Sequence, residues 1–147
     1  NNLGTIYYAR KSYRRSISEY KRALHITPQS APILSNLGTS YFARKNYELA
    51  FTTYQQALAL DPDVFEHRSA MGVLLEQRSV VERAKYHYFL AKTYAKAGDV
   101  DHALLYIRKS LEEGFKERDK FSKEPEFAAV RENPEFTKII SAEQKVL

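Results

Sequence analysis

The chain has 147 residues, enough for one ordinary domain with a buried core, and no apolar run in it is long enough to cross a bilayer as a helix. It has no Cys, which excludes disulfides and thiolate metal sites without identifying a compartment. The net charge of +5 is local: residues 1–30 hold six Lys or Arg against one Glu, and the rest is nearly balanced. A basic excess raises nucleic acid as a partner, to be tested by where those charges point.

The chain opens on Asn inside what proves to be a repeating unit, so it is expected to be a fragment whose true N-terminus lies elsewhere. Asn2-Leu-Gly-Thr-Ile-Tyr-Tyr-Ala-Arg-Lys-Ser-Tyr13 returns 34 residues later as Asn36-Leu-Gly-Thr-Ser-Tyr-Phe-Ala-Arg-Lys-Asn-Tyr47. A fixed period of this length marks a helical repeat array. Residues 2–11 place Leu3, Ile6, Tyr7 and Arg10 at helical spacing, and Gly4 in mid-helix predicts close approach of a neighbouring helix. A second helix over 13–27 turns Tyr13, Ile17, Tyr20, Ala23 and Leu24 to one side and is stopped by Pro28. The pair recurs as 32–45, carrying Leu34, Leu37, Gly38, Tyr41 and Phe42, and 47–60, carrying Tyr47, Ala50, Phe51, Tyr54, Ala57 and Leu58. Asn46 is the expected cap between them, and Asp61-Pro62 closes the unit.

These residues resemble the tetratricopeptide repeats, whose pattern is Trp-x2-Leu-Gly-x2-Tyr, then Ala, Phe and Ala on a second helix, then Pro. Leu3-Gly4-Tyr7-Ser16-Tyr20-Ala23-Pro28 and Leu34-Leu37-Gly38-Tyr41-Ala50-Tyr54-Ala57-Pro62 occupy those places, with Leu34 where the Trp would be. The resemblance implies an all-α fold, a right-handed α–α superhelix or solenoid of antiparallel helix pairs, and a protein- or peptide-binding role.

Beyond Pro62 the pattern bends. Another step of 34 reaches Met71, Gly72, Leu75, Ala84, Tyr88 and Ala91, and Asp63-x-x-Glu66 and Ser79-x-x-Glu82 read as capping boxes for helices over 64–78 and 80–97. Yet Leu90-Ala91…Tyr94…Gly98-Asp99…Ala103…Ile107 fits the same family pattern out of phase, with Gly98 ending one helix and Asp99 capping the next. Helix 80–97 thus serves two frames, and continuity from Pro62 favours 64–78 in the inner layer. The expected organisation is a single domain over 1–147: a partial repeat 1–30, a repeat 31–64, an extra or third-repeat helix 64–78, a last helix pair 80–114, and capping helices within 124–147. In the last segment Glu124-Pro-Glu-Phe127 and Asn133-Pro-Glu-Phe136 set Pro at two helix starts, with Phe127, Val130, Phe136, Ile139 and Ile140 inward.

Nothing in the sequence assembles catalytic chemistry. The four His are scattered, the Gly residues form no phosphate loop, and no Ser sits in an elbow motif. No enzyme activity, cofactor or metal is expected. The informative residues are those the repeat leaves over. In arrays of this kind the first helices line a concave groove, here Asn2, Thr5 and Tyr8 in one repeat and Ser35, Asn36, Thr39 and Phe42 in the next. Asn can donate to and accept from a backbone amide at once, which suits an extended peptide. A structural role competes for the same residues, with Asn36 bonding a neighbouring turn and Phe42 packing on the next helix. Some tetratricopeptide domains clamp acidic chaperone tails with Lys and Arg beside such Asn residues. That set is incomplete here, with Asn1 in the place of a Lys and Phe89 in the place of an Arg.

Arg14, Arg15, Lys21 and Arg22 form a basic patch on the outer face of the second helix. The next repeat has Thr52, Thr53, Gln55 and Gln56 on that face, so the patch does not continue as a nucleic-acid track should, and a solvated or protein-facing patch ranks above RNA. The sequence therefore describes a non-catalytic interaction scaffold with a peptide or partner domain in its groove. The alternatives are an RNA-binding helical repeat using the basic patch and a regulatory appendage of a larger enzyme.

Overall fold

The computed structural model describes residues 2–66 and 80–145. Every regular element among them is helical, and helices adjacent in sequence pack as pairs. The expected helix 64–78 and its residues Met71, Gly72 and Leu75 lie outside the described residues, apart from a short 3-10 turn at Val64–Glu66. The chain forms two compact units, 1–77 and 78–147.

The first unit holds α1 (Asn2–Ala9), α2 (Tyr13–Ile26), α3 (Ala31–Ala43) and α4 (Tyr47–Leu60), each packed on the next. Helix α2 is amphipathic and buries Ser16, Ile17 and Tyr20, whereas α3 is buried almost all round, from Ile33 to Phe42. Ser30 caps α3, its Oγ accepting from the Ile33 N–H, with Pro32 in the first turn where a missing N–H costs nothing. Asn46 occupies the N-cap position of α4, but its side chain makes no capping bond.

The second unit is built on α5 (Val80–Lys96) and α6 (Val100–Glu112), an extensively packed pair. Gly98 takes a left-handed backbone (φ 85°) and Asp99 caps α6, its Oδ1 accepting from the His102 N–H, as the Gly98-Asp99 pair predicts. The tail then folds as α7 (Asp119–Lys123), a 3-10 turn (Pro125–Phe127), α8 (Ala128–Arg131) and α9 (Pro134–Lys145). Phe127, Val130, Phe136 and Ile139 are buried, while Ile140 is half-buried. Helix α7 is not anticipated by the sequence, although its Phe121 is fully buried among Tyr88, Phe115 and Phe127. Arg131 fastens this segment by donating to the carbonyls of Phe121 and Glu124, and Arg118 donates to that of Ile140.

Candidate functional site

The repeated Leu-Gly-Thr sequence builds one device twice. A Cβ on Gly4 would lie 2.7 Å from Cε1 of Tyr20, and one on Gly38 would lie 2.6 Å from Cε1 of Tyr54. Each glycine therefore lets a ring from the following helix lie against its backbone. The next residue ties down that ring: Thr5 Oγ1 and Tyr20 Oη are 2.9 Å apart, as are Thr39 Oγ1 and Tyr54 Oη. Thr39 spends its own proton on the Ser35 carbonyl, so it accepts from Tyr54. Both rings are fully buried.

The turn between paired helices also repeats. In Lys11, Lys45 and Gly98 a left-handed residue donates to the carbonyl three back, and the residue after it donates to the carbonyl five back. Aligning on this turn sets Ala91 and Ile107 of the α5–α6 pair in the places of Gly4 and Tyr20. Both are fully buried, a Cβ gained on one helix and a ring lost on the other.

Comparison with known families agrees with this geometry. A tetratricopeptide repeat model matches residues 31–64, a TPR repeat model matches 4–43, and a further tetratricopeptide repeat model matches 84–113. Together the matches cover more than half of the chain, and each helix pair overlaps one or more of them. The chain is a tetratricopeptide repeat protein. Such repeats generally mediate protein–protein interactions, and proteins built from them are typically non-catalytic scaffolds. No curated protein matches this sequence.

The groove candidates of this repeat protein fall into two groups. On α1, Asn2 is exposed and Thr5 is half-buried, whereas Tyr8 is 4 % exposed with its ring 5.2 Å from that of Tyr13. On α3 the counterparts are closed off: Ser35 and Thr39 are fully buried, and Asn36 and Phe42 are each 4 % exposed. Thr5 and Thr39 hold phenols, and Phe42 meets Tyr47 edge-on. The α3 set therefore differs from the open floor expected of it, because α3 is enclosed on nearly every face. Leu3 and Ile6, by contrast, are 44 % and 48 % exposed. Their counterparts Leu37 and Ser40 are buried on α3, which packs on α2, with Ser16 Oγ donating to Ser40 Oγ.

The four basic candidates also part company. Arg22 pairs with Glu19, and the Lys21 ammonium lies over the Tyr41 ring. Arg14 and Arg15 border an open depression of about 570 Å³ together with Lys11, Ser12, Tyr13 and Arg44. Lys11 and Arg44 are additions to the expected set, and the signal for them is the Arg-Lys pair near the end of each copy of the repeated stretch. Arg14 stands in the first turn of α2, where the helix dipole disfavours a cation by about 0.3–1 kcal/mol. At the same step after the turn, α4 has Glu48 and α6 has Asp101.

In the second unit the polar groups are tied to one another. Burial first, then the Glu124 carboxylate, pushes the Tyr88 phenol well above its usual range, and Tyr88 donates to Glu124. Lys92 also reaches Glu124 through its ammonium group. His87 contacts Glu113 through Nδ1, yet burial outweighs that carboxylate and lowers the imidazole below its ordinary value. His102 lies against Asp99 and stacks on Tyr94. A depression of about 320 Å³ lined by Arg108, Glu112, Glu135 and Lys138 has balanced charge and selects neither sign.

Proposed function

We propose that this repeat protein is a non-catalytic interaction module that holds a peptide segment or partner domain along helix α1. The observation that carries this reading is the difference between two copies of one pattern. Asn2 is open to solvent on α1, while its counterpart Asn36 is enclosed on α3. Among the described residues, Asn2 and the half-buried Thr5 are the more exposed copy of the Asn-Thr pair. An exposed Asn offers both a donor and an acceptor to a peptide backbone, and Thr5 flanks it. Tyr8 is packed against Tyr13, and Ser35, Asn36, Thr39 and Phe42 are enclosed on α3.

The reading is tested by selecting binders from a displayed library of random peptides on the wild-type chain. Selected peptides should bind an Asn2→Leu variant about tenfold more weakly, the effect of losing two hydrogen bonds. Peptides that bind both proteins equally would remove α1 as the site. The melting temperature of Asn2→Leu should match wild type, because Asn2 is exposed.

A further inference from the structure

We propose that the depression at the α1–α2 turn is a second binding surface that takes an acidic segment of another protein, through clustered carboxylates or phosphorylated side chains. It is independent of the Asn2 face. Lys11, Arg14, Arg15 and Arg44 come from two successive turns and border one open concavity. Among the described residues, none of the four has a carboxylate partner. Like charges gathered without counter-charge repel one another, and an anionic ligand relieves that repulsion.

Folding does not ask for this charge. The other two helix pairs make the same turn with an acid, Glu48 or Asp101, at the place of Arg14. Lys11 keeps a left-handed backbone (φ 62°) where the third pair has Gly98, the residue that adopts it without strain. Three guanidinium forks and one ammonium suit the oxygens of carboxylate or phosphate, which Arg binds through paired parallel bonds.

A protein segment fits better than a nucleic acid. Single-stranded nucleic acid needs open ring faces for its bases and a basic track that continues. Here Arg15 lies over Tyr7, and Tyr13 packs against Tyr8. The corresponding first turn of the next repeat carries Glu48.

The test is fluorescence anisotropy with three labelled probes on the full chain: hexaglutamate, a six-residue glycine–serine peptide carrying two phosphoserines, and octauridylate RNA. One or both peptides should bind, and more weakly as salt rises from about 50 to about 300 mM. The double variant Arg14→Glu/Arg15→Glu should weaken binding by about tenfold or more. Lys11→Gly should weaken it about threefold while leaving the melting temperature equal or higher, which separates lost binding from lost folding. Asn2→Leu should bind these peptides as wild type does, so failure on α1 and failure here are told apart. Peptide affinity unchanged in the double variant, or octauridylate bound more tightly than both peptides, would overturn the proposal.

Discussion

A methyl group has no place on Gly38, since it would sit 2.6 Å from the edge of the fully buried Tyr54 ring. In an exposed helix interior, Gly→Ala gains roughly 0.5–1 kcal/mol. At Gly38 the sign reverses: Gly38→Ala should lose about 1–3 kcal/mol, the usual result of overpacking a filled core. Urea denaturation of the single and double variants checks the cause. In a Tyr54→Ala background the ring is gone, and Gly38→Ala should become neutral or favourable. A stabilised Gly38→Ala in the wild-type background would refute the close-packing account. The close approach was legible in the sequence, because a glycine amid helix formers needs a spatial reason. The Thr39–Tyr54 bond was not. Its partners are 15 residues apart on two helices, and only the crossing of those helices shows that the hydroxyl of Thr39 points at a phenol rather than at a groove.

Among the elements, the paired helices were legible because each announces itself through period and punctuation. Gly98-Asp99 located the α5–α6 turn even where the 34-residue count had drifted. Helix α7 had no such announcement. Phe115, Phe121 and Phe127 recur every six residues, which is neither a helical nor a strand period, and their clustering around Tyr88 is purely tertiary. The basic patch was half legible: the outward direction of Arg14 and Arg15 followed from the helix period, but Arg44 comes from another turn. The α5–α6 pair also carries a pH dependence. An unfolded imidazole protonates near 6.5, and burial lowers His87 below that despite the opposing pull of Glu113. The folded protein then binds fewer protons than the unfolded chain at acidic pH. The stability owed to neutral His87 is complete above 6.5 and is lost as pH falls from there towards the lowered value. Melting temperatures across that window should fall less steeply for His87→Gln than for wild type. Equal slopes would exclude His87 as the titrating group.

At the scale of the whole molecule, aromatic rings do the work of holding helices together: the chain has 11 Tyr and 8 Phe but no Trp. In the second unit the fully buried Phe121 ties the tail to α5 through Tyr88, so Phe121→Ala should cost about 3–5 kcal/mol. Amide exchange should show it as faster exchange over α6 to α9, and unchanged protection there would refute a structural role for the cluster. In the first unit, the rings of Tyr20 and Tyr54 lie against glycine backbone with their hydroxyls bonded to threonine. An aromatic ring in a loose core flips about its long axis freely and averages its two edges. These two cannot: a quarter turn would drive a ring edge into the helix beside it, so each flip must wait for the two helices to part. The pace of ring rotation at Tyr20 and Tyr54 is therefore a clock for the breathing of each repeat, built into residues whose static job is only to fill space.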